Sequence, residues 1–281
     1  MWRYMLAWAA SAMVTFAVDL TSLKTAKDPQ VLLDTALECA RSQDPANLNA
    51  LAESLGSVSF LARLDSAADY QGPPQQLRLA QILATIADNP TAHRVLIALT
   101  SQRAFTSFEP RQELLIRSLA AVRPAPAEAI RFWELHSTPT SPYLHVTIDA
   151  LADNLSEPAL QLLEKRVVDP KYDRESRIAW MRDPILRHRT DLAMLRICEH
   201  MLTTTLSATM RPQLVEALSD YRREWYGSDS APRPPDLRRA SEEARAELRK
   251  ICELALSGVR LTKSQKAAVQ STLNDLATKT K

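Results

Sequence analysis

The chain has 281 residues, of which only 4 are glycine and 6% are aromatic, although 46% are hydrophobic, so alanine and leucine must supply most of the core. The 35 Lys and Arg residues against 33 Asp and Glu leave a net charge of +2. So little glycine excludes a glycine-rich phosphate loop and most folds built on tight turns. The balanced charge gives no general reason to expect nucleic acid or an anionic membrane as the partner.

An apolar segment lies at the N-terminus. Met5–Val18 has no charged residue, glycine or proline and follows a single positive charge at Arg3. This pattern is typical of a secretory leader, with Ala17 at the predicted cleavage position. As a helix the segment would span about 21 Å, less than the roughly 30 Å of a bilayer core. Residues 1–18 are therefore a leader, an anchor or an N-terminal cap helix packed on the first repeat. We expect an exported or periplasmic protein in the first case and a cytoplasmic one in the last.

Three blocks of equal length align without a gap. Leu83–Leu99, Leu119–Leu135 and Leu151–Val167 each begin Leu-Ala, carry proline at the eighth position and end in an aliphatic residue. Their starts are 36 and 32 residues apart, and weaker copies begin near Ile185 and Leu218. Apolar residues at helical spacing precede the blocks. We therefore interpret each repeat as a helical hairpin whose second helix opens at the proline.

Pairs of a short polar residue and proline predict several helix starts, because the first can cap the helix and the second fits its first turn. These pairs are Asp28-Pro29, Asp44-Pro45, Asn89-Pro90, Ser141-Pro142 and Asp183-Pro184. Hairpin turns such as Asn-Gly or Asp-Gly do not occur, and β-branched runs are short. The sequence therefore predicts an all-α protein.

The repeated Leu-Ala…Pro…Leu block, the paired helices and the period resemble the HEAT-like α-solenoid family over about residues 75–225. The period is shorter than the usual HEAT value of about 40–47 and nearer the 34 of tetratricopeptide repeats. The Trp, Gly and Tyr pattern of the latter is missing. The resemblance implies a right-handed α-solenoid of about five to six helical hairpins, which we assign to residues 28–226.

The C-terminal part is predicted to be a separate helical hairpin. Residues 227–235 are rich in Gly, Ser and Pro and are predicted to form an exposed linker. Within residues 236–281, the first helix should cover Asp236–Ser257 and end at Gly258 as its C′ residue. Thr262 and Gln265 predict a capping box for the second helix. We expect the hairpin to cap the repeats, and the alternative is a detachable hook for a partner.

Catalytic and metal-binding motifs are missing from the sequence. It contains no zinc-protease, serine-elbow or Walker pattern, and its five histidines are scattered. Cys39, Cys198 and Cys252 lie far apart, so we expect buried free thiols and no disulfide framework. The sequence thus predicts no catalytic residues, no metal, no cofactor and no enzymatic activity.

Arginine and aromatic residues provide the candidates for an interaction surface. Arg177–Arg196 holds five arginines against two aspartates, a composition that suits phosphate, carboxylate or base recognition. The alternative is a solvated helix face whose arginines pair with neighbouring acids. A second cluster of arginine and aromatic residues, with Arg222, Arg223 and Trp225, lies about one repeat later. Trp133 is a third candidate, and it is a binding hot spot if exposed or a core residue if packed. The interaction candidates are Trp133, Trp180, Arg182, Arg187, His188, Arg189, Arg222, Arg223 and Trp225.

A non-enzymatic scaffold that binds a protein or peptide on the concave face of stacked hairpins is the leading hypothesis. The alternative is a nucleic-acid-binding protein, since HEAT-like proteins include alkylpurine DNA glycosylases. That group would use the basic aromatic strip around Trp180–Arg189, with Asp183 as the acid. Asp183 is better explained as a helix cap, and a net charge of +2 is weak for duplex binding. A chaperone or assembly factor of the cell envelope would share the architecture. Membrane contact is expected only through an uncleaved N-terminal segment.

Overall fold

The computed structural model describes residues 18–65, 77–107, 109–219, 237 and 240–277. These residues form sixteen α-helices and no strand, which confirms the all-α prediction. A 3₁₀ turn at Pro90–Ala92 precedes α6, and a π turn at Met201–Thr205 follows α13. Residues 5–17 of the predicted leader and the predicted linker at 227–235 lie outside the described residues. The helices are α1 (Leu20–Thr25), α2 (Pro29–Arg41), α3 (Pro45–Gly56), α4 (Val58–Asp65), α5 (Leu77–Asp88), α6 (His93–Leu99), α7 (Arg103–Thr106), α8 (Glu109–Leu119), α9 (Ala127–His136), α10 (Leu144–Asn154), α11 (Glu157–Val168), α12 (Arg174–His188), α13 (Leu192–His200), α14 (Arg211–Ser219), α15 (Glu242–Gly258) and α16 (Lys263–Ala277).

Most predicted helix starts are confirmed by their capping hydrogen bonds. The side chains of Asp28, Asp44 and Asn89 each accept a hydrogen bond from the backbone N–H two residues later, at 2.8, 2.8 and 3.2 Å. Each is followed by a proline in the first turn, where a missing N–H has no helical partner to lose. Ser141 instead orders a turn, and α10 begins after it. These starts are local events within a few residues, which is why the sequence reveals them.

The predicted helix start at Asp183-Pro184 is wrong. Both residues lie inside α12, which begins at Arg174 and is capped by Asp173 through a 2.8 Å hydrogen bond from the Ser176 N–H. Pro184 is buried on this helix together with Ile185. A proline inside a helix removes one backbone hydrogen bond, so packing of the apolar face outweighs the local signal here.

Contacts between the helices follow a regular order. In an outer series, each helix packs on the next in the order α2, α5, α8, α10, α12, α14 and α16. In an inner series, α3 packs on α6, and α9, α11, α13 and α15 pack in succession. The starts of all five sequence blocks are placed alike, in the C-terminal half of α5, α8, α10, α12 or α14. We use the names outer series and inner series only for these two sets of helices.

The register of α9 differs from the gap-free alignment of the three blocks. The last position of the block is buried in two of the three blocks, where Leu99 and Val167 are 0% and 1% exposed. In the third block, which contains α9, Leu135 at this position is 71% exposed. The buried residues of α9 are instead Ala129, Phe132 and Trp133. They lie one position later in the block than their counterparts in α6. One residue corresponds to about 100° of helix rotation, which carries Leu135 out of the core.

The C-terminal hairpin packs against the preceding helices. α15 contacts α13 and α16 contacts α14, and the Thr272 hydroxyl donates to the Ser219 carbonyl at 3.3 Å. The predicted capping box is confirmed, since the Thr262 N–H donates to Gln265 Oε1 and the Gln265 N–H donates to Thr262 Oγ1. Two boundaries were wrong. α15 begins at Glu242, and Gly258 is its last residue instead of the C′ residue.

Two asparagines join the ends of successive outer helices. Asn89, which follows α5, donates through Nδ2 to the carbonyls of Ala40 and Ser42 at the end of α2, at 2.8 and 3.1 Å. Asn154, the last residue of α10, donates in the same way to Ala120 and Val122 after α8, at 3.0 and 2.8 Å. Each side chain thus satisfies carbonyls that the end of a helix leaves without a partner.

Replacement of Asn154 by alanine should destabilise the protein. Asn154 is fully buried, and its loss would leave two carbonyls without their donor, which costs roughly 2–3 kcal/mol in the free energy of unfolding. Urea unfolding at neutral pH measures this value. Asn49→Ala, at an exposed position of α3, is the matched control and should change it by no more than about 0.5 kcal/mol. Equal effects of the two substitutions would contradict this role.

Candidate functional site

Three of the predicted interaction residues are buried. Trp133 is 0% exposed and its indole Nε1 donates to the Ile116 carbonyl at 3.3 Å. Trp180 is 5% exposed, and its ring packs edge-on against Tyr172 at 5.0 Å. Arg189 is 1% exposed. Trp133 is therefore the packed core residue of the two alternatives, and none of the three presents a surface to a partner. Arg222, Arg223 and Trp225 lie outside the described residues.

The other three candidates are on α12 and face carboxylates of the neighbouring outer helices. Arg187 forms ion pairs with Asp149 at 2.8 Å and Asp153 at 3.0 Å, both on α10. His188 Nε2 lies 3.0 Å from the same Asp153 oxygen, and Arg182 lies 4.0 Å from Glu216 on α14. We call these residues the α12 ion network. The arginines pair with neighbouring acids, so they add little free positive charge to this face.

Asp183, also on α12, interacts electrostatically with Arg187, Asp149 and Arg182 of the α12 ion network. Burial raises the pKa of Asp183 above its ordinary value, and the charge of Asp149 acts in the same direction, while Arg187 and Arg182 oppose the shift. The nucleic-acid hypothesis requires an open groove that combines this carboxyl with Trp180 and Arg187. Trp180 is buried and has no free face for base stacking, and Arg187 is held by two carboxylates. The described geometry gives that alternative no support.

A groove of about 570 Å³ opens elsewhere, between α11 and α13 of the inner series. We call it the α11–α13 groove. It is lined by Glu157, Leu160, Gln161 and Glu164 of α11, and by Ala193, Arg196, Ile197 and His200 of α13. In each helix these residues form two pairs spaced four apart, so they project from one helix face. Asp191 positions the second wall, because it caps α13 by accepting from the Ala193 N–H at 2.8 Å.

Methionines lie behind the apolar part of the groove. A small space of about 10 Å³ shares Leu160, Glu164 and Ile197 with the groove and is also lined by Met181, Met194 and Met201. Methionine has an unbranched, flexible side chain that adapts to irregular shapes. The apolar lining of the groove therefore rests on side chains that can adjust when something presses into it.

Acid–base pairs link successive inner helices beside the groove. Glu134 of α9 pairs with Lys165 of α11 at 2.8 Å, Glu164 of α11 with His200 of α13 at 3.0 Å, and Glu199 of α13 with Lys250 of α15 at 2.6 Å. In each pair the acid is on the earlier helix and the base on the later one. We call these three contacts the inner ladder. Glu164 also accepts from Thr205 Oγ1 at 2.6 Å, so its carboxylate is occupied.

Sequence reasoning missed the groove because its two walls are more than thirty residues apart. Gln161, Ile197 and His200 each look like ordinary residues of an amphipathic helix. In the sequence, Arg196 stands out only as one of the five arginines in Arg177–Arg196. The sequence offers one signal for the groove, which is the prediction that the second helices of the hairpins share one face. The block Leu151–Val167 predicts that α11 is such a second helix.

The cysteine prediction is confirmed for the three thiols. Cys39, Cys198 and Cys252 are free and buried. Burial raises the pKa of Cys39 to about 11 and that of Cys252 to about 12, with neighbouring glutamates adding to both shifts. Since the thiolate is the reactive form, these side chains are protonated and unreactive at neutral pH.

Replacement of Asp153 by asparagine should lower stability at pH 7 and matter less in acid. Burial alone would raise the pKa of Asp153, but the hydrogen bond with His188 and the charge of Arg187 outweigh it and lower that pKa. The carboxylate therefore contributes stability above its unfolded-state pKa of about 3.9, and the contribution disappears as the pH falls through the lower folded-state value. We expect about 0.5–1 kcal/mol at pH 7, since the pair is partly exposed to solvent.

Urea unfolding of wild type and Asp153→Asn at pH 7 and pH 3.5 measures this difference. Glu53→Gln is the matched control, because it removes an exposed carboxylate of α3 that makes no ion pair with the described residues. The same loss and the same trend with pH in both variants would show that the α12 ion network is not the source.

The described residues contain neither a metal-binding cluster nor a membrane-spanning helix. Among them, no cluster of three or more His, Cys, Asp or Glu could hold a metal ion. Within the same ranges, no helix is both long and apolar enough to cross a membrane. The α11–α13 groove supplies an apolar lining between charged walls, which suits non-covalent binding. Comparisons with protein-family models, curated proteins and solved structures give no match for this chain.

Proposed function

We propose that this protein is a non-enzymatic scaffold that binds a protein or peptide partner in the α11–α13 groove. The observation that carries the proposal is a groove of about 570 Å³ with apolar residues between charged walls. This volume lies within the range of about 300–1,000 Å³ typical of ligand sites. No described group in or near the groove forms a catalytic constellation, so binding is the activity that its chemistry supports.

The architecture that we propose is a right-handed, HEAT-like α-solenoid. The ordered contacts of the outer and inner series support it, since each unit of such an array touches mainly its neighbours. The equivalent bonds of Asn89, which follows α5, and Asn154, which ends α10, support a recurring unit as well. In this arrangement, residues 28–226 are the repeats and the α15–α16 hairpin is their C-terminal cap.

The inner series would then form the concave face. Second helices line the concave surface of helical repeat arrays, and such surfaces bind extended or helical segments of other proteins. The α11–α13 groove lies on this series, whereas the α12 ion network lies on the outer series. A partner would therefore contact Gln161, Arg196 and Ile197, and it would not contact the strip around Trp180–Arg189.

Site-specific photocrosslinking in the native host tests the proposal. A benzophenone amino acid in place of Gln161, which is exposed on α11, should give a protease-sensitive crosslinked species. The same amino acid in place of Ala179, exposed on α12, is the matched control and should give little of it. Ile197→Glu in the Gln161 variant should remove the species, because it places a charge in the apolar lining.

The variants must first be shown to be folded by circular dichroism and urea unfolding. Equal crosslinking from both positions would contradict a specific site in the groove. A species that persists with Ile197→Glu would contradict binding through its apolar lining.

A further inference from the structure

Arg196 differs from the other charged residues of the α11–α13 groove. Glu164 is occupied by His200 and by the Thr205 hydroxyl, and Glu157 accepts from Gln161 Nε2 at 3.0 Å. The guanidinium of Arg196 is exposed and makes no hydrogen bond or ion pair with a described residue. The inner ladder uses Lys165, His200 and Lys250 as its bases and leaves Arg196 out.

The place of Arg196 on α13 puts it next to the apolar lining of the groove. Arg196 directly precedes Ile197 on α13, and it is four residues before His200, whose ring is held by Glu164. Outside the groove, the charge of Arg196 acts to lower the pKa of Glu247 of α15, and the two do not form an ion pair. A ligand that places an apolar group on Ile197 therefore brings its neighbouring atoms close to the guanidinium of Arg196.

The opposite wall has the opposite sign. Glu157 is exposed on α11, so it repels a carboxylate on that side and favours one on the side of α13. Arginine binds carboxylates through a planar pair of N–H donors. Charge complementarity thus favours an occupant with a negatively charged group, and it orients that group toward Arg196 and away from Glu157.

We propose that the α11–α13 groove recognises a peptide segment in which an apolar anchor side chain lies beside a carboxylate that pairs with Arg196. This inference rests on the proposed binding function and specifies the chemistry of the partner. The anchor packs on Ile197 and Ala193, and the methionines that share a small space with Ile197 adjust to its shape. The carboxylate of an Asp or Glu side chain one helical turn or one strand position away reaches Arg196.

Binding of short synthetic peptides to the full-length protein tests this inference. The probes are three fluorescein-labelled, alanine-based peptides with two leucines four residues apart. In one, glutamate lies beside each leucine, in the second, lysine replaces glutamate, and in the third, serine replaces leucine. Fluorescence anisotropy should give a Kd for the glutamate peptide about tenfold lower than for the other two.

A charge reversal makes the test specific to Arg196. Arg196→Glu should weaken the glutamate peptide and strengthen the lysine peptide, each by about tenfold, so that the preference is inverted. Arg174→Glu reverses the charge of an arginine that is exposed on α12 and lies outside the groove. This matched control should leave both Kd values unchanged.

Several results would overturn the inference. These are equal affinity for the glutamate and lysine peptides, an unchanged preference in Arg196→Glu, or the same change in Arg174→Glu. Binding of decanoate, as a simple apolar carboxylate, without binding of any peptide would also overturn it. If all peptides bind alike and Ile197→Glu abolishes binding, the proposed function stands and only the specificity is wrong. If no peptide binds and crosslinking from Gln161 is absent, both fail.

Discussion

Each pair of helices in this protein depends on its neighbours to cover its apolar face. The buried residues form one continuous cluster from Leu23 in α1 to Leu276 in α16. A single short amphipathic helix is marginally stable in water, so packing against the next helix supplies most of its stability. The regular order of contacts along both series follows from this requirement.

Polar contacts fit into this packing without interrupting it. Asn89 and Asn154 satisfy carbonyls at the ends of preceding outer helices, where an unpaired group would be costly. In each contact of the inner ladder the base is exposed to solvent, and ion pairs open to solvent contribute little to stability. The asparagines therefore matter more for the free energy of unfolding, and the ladder mainly determines which charges are left for a partner.

The outer and inner series differ in which charged side chains they leave without a partner among the described residues. On the outer series, Arg187 and His188 pair with Asp149 and Asp153 of the neighbouring helix. On the inner series, residues of α11 and α13 line a groove, and Arg196 is not part of the ladder. A free charge next to a partly exposed apolar surface is a better basis for recognition than a strip of charges that neutralise one another.

Local patterns in the sequence predict the helical class and several helix starts. Scarce glycine, helical spacing and caps such as Asp28, Asp44 and Asn89 act within a single turn, so they depend on few other residues. Tertiary structure alone decided the register of α9, the helical position of Pro184, the pairing of Arg187 and the groove beside Arg196. Each of these depends on which face of a helix meets a neighbour about thirty residues away. A rotation of one residue, as at Leu135, is enough to exchange core and surface, and no local pattern in the sequence encodes it.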